Sequence, residues 1–421
     1  MTASSIGYDN ILGWVKVRLG GSHTTVLRTF AWVILCILVA QQVTPAALAR
    51  AIPAEESGSG RTRLRRVRRW WQGPELDLGI VTPLLIRAAL AVLPKGETIV
   101  VAMDTTRTGQ WEIWKAGPTF AGHTLPVAWA VIPYPWPKGR FRQTTLALVG
   151  QLQRAFPPGL RWSFVADRGF PSALLFSYLR LGQTDWTVRL RLSDWVEVAG
   201  AYAMVREHLE AGRIKPGERV EATIGSGGKE QPQTKAWLVV NEVVPAAPKH
   251  KCSPGTQRER AQREKKREQH LQNKGRKSTP RSEAAKRYAK TWVLFTTAPT
   301  VQEAVRQYSL RMTIEETFRD WHHSWGLRAA AMGMATEGEV CRLVGAVSLA
   351  YSLQIELGWR LSQSALGQQR RAQWTVSDRV SLFWCGQQVF RDGGYDWRNW
   401  LAAQWDDLTV PEPVTTAQLA A

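Results

Sequence analysis

The chain has 421 residues, 44 % of them apolar and 21 % charged, which is the balance of a folded protein with a large core and two to four structural units. Its formal charge of +20, with a pI near 10.2, points to a polyanionic partner, and nucleic acid is the commonest. Four scattered cysteines (Cys36, Cys252, Cys341, Cys385) with no C-x-x-C spacing exclude a zinc ribbon and a disulfide framework, and fit a reducing cytoplasm.

The first ninety or so residues read as helical. Within them Ala31–Ala40 (AWVILCILVA) is an unbroken apolar run preceded by Lys16, Arg18 and Arg28 and followed by Ala47-Leu48-Ala49. That order fits either a signal-peptide core or a buried helix of an N-terminal helical domain. It is too short to span a bilayer, which takes about 20 residues. After Gly/Ser punctuation at Glu56–Gly60 comes RTRLRRVRRWW, in which Arg61, Arg63, Arg65, Arg66, Arg68 and Arg69 stand beside tryptophans. Arginine forks pair with phosphates, so this stretch is a candidate DNA contact, with a solvated basic helix face as the alternative.

From Glu97 the pattern changes to short β-branched runs. Strands are predicted near Glu97–Asp104, at Trp111–Lys115 and Thr124–Ile132, then a helix over Arg142–Ala155. A strand at Trp162–Ala166, a helix at Pro171–Leu181 and a strand at Asp185–Leu192 follow. Three antiparallel strands and then alternating helix and strand is the order of an RNase H-like α/β fold. A strand-rich portion (Val220–Ile224, Ala236–Val244) leads into Lys249–Lys290, with fifteen Lys or Arg against four Glu, net +11. That composition cannot bury a core and is expected to be a loop or solvated helix that orders on DNA. A strand resumes at Thr291, one long helix is predicted from Val301 to Trp325, and helices continue to the end. The expected organisation is an N-terminal helical DNA-binding region (1–95), a core in two parts (96–195 and 291–365), a β-rich insertion with a basic loop (196–290) and a C-terminal helical region (366–421).

Asp104 and Asp167 fall at the C-terminal ends of two predicted strands. If those strands are neighbours, two carboxylates meet at one sheet edge and need a cation. Hard oxygen ligands suit Mg²⁺ or Mn²⁺. In the helix Tyr308–Leu327, Leu310, Ile314, Phe318, Trp321 and Trp325 form an apolar stripe. Tyr308, Arg311, Glu315, Arg319 and His322 form a second stripe, one residue round.

That segment resembles the signature helix of DDE insertion-sequence transposases of the "four" type: Tyr308, two residues, Arg311, three residues, Glu315, six residues, and His322 where the family has lysine. "DTT" at Asp104, "DRGF" at Asp167 and the VRLR stretch Val188–Arg191 are similar as well. The Asp167–Glu315 gap of 148 residues suits members with a β-rich insertion. The resemblance covers roughly residues 97–330. It implies an RNase H-like core, catalytic and metal-binding roles for Asp104, Asp167 and Glu315, two Mg²⁺ ions replaceable by Mn²⁺, double-stranded DNA as substrate and a homodimer pairing two element ends. It further implies DNA contacts from Tyr308, Arg311, Arg319 and His322, and base stacking by Trp292, for which a core position is the alternative. No membrane association and a cytoplasmic, nucleoid-associated location are expected. The competing reading is a decayed, non-catalytic DNA-binding copy. An exported nuclease, which the N-terminal apolar run would favour, is a weaker third.

Overall fold

A computed structural model describes residues 8–19, 24–52, 58–73, 78–94, 96–225, 232–242, 291–365, 368 and 381–391. The basic stretch 249–290 and most of the chain beyond 366 lie outside the described residues. The chain divides into two compact units, one of residues 1–170, 178–186 and 307–421, the other of 171–177 and 187–306.

The first unit is built on a mixed sheet. β1 (Ile99–Thr108) and β2 (Trp111–Phe120) form an antiparallel hairpin, turned at Gly109 with φ of +61°. β2 also carries β3 (His123–Thr124) and β4 (Ala128–Pro133). The single strand expected over Thr124–Ile132 is interrupted at Leu125–Val127, where Pro126 has no N–H for a ladder. The Leu125 carbonyl crosses so close to Gly117 that any Cβ there would collide with it. On the other side of β1, β5 (Trp162–Ala166) runs parallel, with Met103 opposite Ala166.

Helices α1 (Tyr8–Leu19), α2 (Thr24–Ala40), α3 (Pro45–Ala51), α4 (Gly60–Gln72), α5 (Leu78–Val92) and α6 (Arg140–Ala155) belong to this unit. The apolar run Ala31–Ala40 is the second half of α2, and its residues from Ala31 to Leu38 are buried in the core. The unit's longest helix, α12 (Glu337–Gln363), starts from a reciprocal cap between Thr336 and Glu339. It is long and apolar enough to cross a membrane, but 89 % of that span is buried inside the protein.

The second unit is a largely antiparallel sheet in the order β6 (Asp185–Arg189), β11 (Thr291–Thr296), β10 (Thr234–Glu242), β9 (Arg219–Ile224), β7 (Trp195–Val198), β8 (Ala201–Met204). Helix α7 (Ala173–Leu181) and β6 each begin in one unit and end in the other. A short helix α8 (Val205–Glu210) follows β8. A mixed sheet with flanking helices agrees with the RNase H-like α/β class.

The long helix expected from Val301 is broken twice. It runs as α9 (Val301–Leu310), α10 (Met312–Arg319), and a π turn (Asp320–Ser324), followed by α11 (Leu327–Met332). At the first break Arg311 N–H donates to the Tyr308 carbonyl, and Ile314 N–H to the Arg311 carbonyl, at 3.0 and 3.1 Å. These three-residue steps replace the four-residue ladder, and the Thr313 hydroxyl donates to the Leu310 carbonyl at 2.7 Å. At the second break the Trp325 N–H reaches five residues back to Asp320, at 3.1 Å.

Candidate active site

Strand alternation builds the site. Val100 and Ala102 face the same side of β1, where they and Val165 of β5 pack against Ile314 and Phe318 of α10. Two residues further along that face is Asp104, and two further again is Thr106. In β5 the residue two after Val165 is Asp167, just past the strand end. Because Met103 pairs with Ala166 across parallel strands, Asp104 and Asp167 are the next residues in register. The two strands are therefore neighbours. One detail differs from expectation: Asp104 lies in the middle of β1, because the β1–β2 hairpin carries that strand on to Thr108. Its partnership with β5 ends at Met103, which opens Asp104 on that side.

The helix supplies a partner to each carboxylate. Tyr308, 1 % exposed, donates its hydroxyl to Asp167 Oδ1 at 3.0 Å. Arg311, 5 % exposed, spans two acids, with Nη1 donating to Asp104 Oδ2 at 2.8 Å and Nη2 to Glu315 Oε1 at 2.5 Å. Burial pushes the Asp104 carboxyl up to about 6, against the pull of Arg311 and the Thr105 N–H, with Asp167 and Glu315 adding to the rise. All three acids are thus electrostatic neighbours.

Two further predicted residues have other partners. Arg319 pairs with Glu316 at 2.5 Å on the half-exposed side of the helix. His322 Nε2 meets the Thr106 hydroxyl at 3.1 Å, and burial, assisted by Lys115, His323 and Arg328, lowers its pKa to about 4. The imidazole is neutral at pH 7. Trp292 is half-buried on β11, opposite Asn241, in the second unit.

In α4 the arginines separate by periodicity. Arg61, Arg65, Arg68 and Arg69 are exposed along one face, while Val67, Trp70 and Trp71 are buried. Arg63 donates to the Ile52 carbonyl at 2.8 Å, and Arg66 lies 5.2 Å from the Trp32 ring centre and 6.0 Å from that of Trp70.

Sequence reasoning missed the layer behind the three carboxylates. Lys115 stands opposite Asp104 across the hairpin and is fully buried. Its Nζ lies 4.0 Å from the Phe318 ring centre and 4.3 Å from that of Trp321, with no hydrogen-bond partner among the described residues. Burial holds its pKa well below the ordinary lysine value, although Asp320 and Asp104 pull the other way. Asp320 accepts from the Tyr351 hydroxyl at 2.9 Å, and that hydroxyl is 2.7 Å from His123 Nδ1. Thr313 and Thr317 bind Thr124 of β3, with the Thr313 hydroxyl 2.8 Å from that of Thr124 and the Thr317 hydroxyl accepting the Thr124 N–H at 3.0 Å. One signal was present: a lone lysine inside WEIWKAGPTF, a strand whose neighbours are almost all buried.

Asp104, Asp167 and Glu315 fit a divalent ion in donor chemistry, being hard anionic oxygens on a shared face. Asp104 and Glu315 already share one cation, the Arg311 guanidinium. Among the described residues no three acidic, histidine or cysteine side chains converge closely enough to hold an ion as they stand.

Residues 142–332 match the family model described as the transposase DDE domain. Over that span the chain is similar to transposase DDE domains. The matched span contains Asp167 and Glu315, and Asp104 lies upstream of it on the strand that pairs with β5. Transposition is the general activity of such a domain, DNA is its substrate, and divalent metals generally serve it. A search of curated proteins returned no match.

Proposed function

We propose that this DDE transposase domain belongs to an insertion-sequence transposase of the "four" type. It binds the terminal inverted repeats of its element, as a homodimer on paired ends, and cleaves and joins DNA strands with Asp104, Asp167 and Glu315. The observation that carries this reading is the register of β1 and β5, which sets Asp104 beside Asp167 under a helix that brings Glu315 to the same cation. Those three residues would hold two Mg²⁺ ions, which would supply activation of the attacking oxygen and charge stabilisation of the leaving one.

The chain's own groups do the rest. Tyr308 orients Asp167 through its hydroxyl, and Arg311 orients Asp104 and Glu315. The exposed arginines of α4 and the basic stretch 249–290 bind the duplex backbone, with Arg319 near the site, while Trp292 stacks on a base. Such a reaction would take place on the nucleoid, in the cytoplasm. A decayed copy that only binds DNA is the second reading, favoured by the neutral His322 at the family's lysine position. Purified protein should nick a duplex bearing the element's ends in Mg²⁺, and Asp104→Asn and Asp167→Asn should each abolish nicking while retaining DNA binding. Binding without nicking by the unaltered chain would leave only the second reading.

A further inference from the structure

The Arg311 side chain sits where a cation between Asp104 and Glu315 is wanted. Its guanidinium gives one N–H to each carboxylate, at 2.8 and 2.5 Å, and the side chain is 7 % exposed. The same Nη2 lies 3.3 Å from the Met312 sulfur, and the Nε is buried without a partner among the described residues. A charge-assisted pair of this kind is short and strong, and its geometry is set by the planar fork. An ion coordinated by Asp104 and Glu315 needs the same oxygen lone pairs that Arg311 occupies.

We propose that Arg311 is the resident counter-ion of the carboxylate triad, closing the metal site until it is displaced, so that loading of a divalent cation is coupled to release of the guanidinium. The inference rests on the metal-binding role given to the triad above. Release begins at Glu315, which is 46 % exposed against 20 % for Asp104, so the outer contact yields first. A freed Nη2 then becomes a donor beside the acids, available to the phosphodiester that the site would cut. Arg311 is thus a positioning residue: it acts on the reaction through the carboxylates it holds.

The test is Mn²⁺ binding to the full chain without DNA, followed by the loss of the free-ion paramagnetic resonance signal. Arg311→Met keeps the buried stem and removes the charge. It should bind Mn²⁺ about tenfold more tightly than the unaltered protein, a difference of about 1.4 kcal/mol. Arg311→Lys, whose ammonium is a point charge without the fork, should tighten binding by a smaller factor. It serves alone if circular dichroism shows the Met variant unfolded. Adding Asp104→Asn to either variant should remove the tight site. Equal affinity in the unaltered chain and the folded variants overturns the gate and leaves the triad's metal role standing. No Asp104-dependent Mn²⁺ binding in any of them overturns both.

Discussion

Lys115→Met separates stability from function. The ammonium is fully buried and makes no hydrogen bond among the described residues, lying 4.0 Å from the ring centre of Phe318 and 4.3 Å from that of Trp321. A desolvated cation–π contact returns about 2 kcal/mol per ring. Taking an ammonium out of water costs several kcal/mol even after relaxation, and Lys115 has no hydrogen-bonded partner among the described residues that its replacement would strand. Methionine nearly matches the lysine stem in length, so packing is largely kept. The variant should therefore melt at or above the unaltered protein, by about 2–4 °C per kcal/mol gained. The pH dependence carries a sign. Burial holds the folded pKa below the unfolded 10.5, so the folded chain binds fewer protons and gains stability as pH rises toward that value. The methionine variant lacks this slope, and its advantage should be largest near pH 6 and shrink toward pH 10. Metal-dependent nicking should fall, because Asp104 and Asp320 lose their buried positive neighbour. Thermal melts followed by circular dichroism across that range decide the matter. A variant several degrees less stable at every pH would make the ammonium a net structural contributor and overturn the expected gain.

Asp320→Asn tests the acid on the other side of Lys115. Burial raises Asp320 from 3.8 to about 6, so its stabilising contribution is full below pH 3.8 and lost as pH rises through about 6. The asparagine variant keeps an acceptor for Tyr351. Its melt should gain on the unaltered protein by about 3 kcal/mol between pH 4 and 7, since each pH step between the two pKa values is worth about 1.4 kcal/mol. His123, lowered to about 4, has the opposite slope and lies 3.6 Å from the Asp320 carboxylate, so the comparison is made with His123→Gln in both proteins. In α4, alanine at Arg61, Arg65, Arg68 and Arg69 together should flatten the dependence of DNA affinity on salt by about 0.9 for each phosphate no longer neutralised. Alanine at Arg63 and Arg66 should instead lower the melting temperature and leave that slope unchanged.

Much of the frame was legible because local pattern decided it. The Trp162–Ala166 strand is five residues of β-forming character between turns and is found unaltered, and the α6 helix differs from expectation by two residues at its start. The adjacency of Asp104 and Asp167 was readable as a condition, and the β1–β5 register meets it. What local pattern could not show is set by partners far along the chain. Periodicity alone makes Val301–Trp325 one helix. The step at Arg311 accompanies a side chain turned to an acid 207 residues away, and the π turn accompanies the Asp320 bond to Tyr351, 31 residues on. Lys115 was passed over because a charged residue in a strand ordinarily faces water, whereas β2 is covered on both faces. Equally, an arginine-rich stretch does not announce that Arg63 and Arg66 turn inward; the burial of Trp70 and Trp71 decides that.

Adjacent glutamates give the sharpest test of the triad. Glu315 shares the Arg311 guanidinium with Asp104, while Glu316, one step of roughly 100° further round the helix, pairs with Arg319. Mg²⁺-dependent nicking of a duplex bearing the element's ends is measured for Glu315→Gln and Glu316→Gln, with DNA binding and melting temperature recorded on the same preparations. Glu315→Gln is expected to bind DNA and stay folded but not to nick, and Glu316→Gln to keep most of its activity. Nicking retained by Glu315→Gln, with or without its loss in Glu316→Gln, would remove Glu315 from the triad.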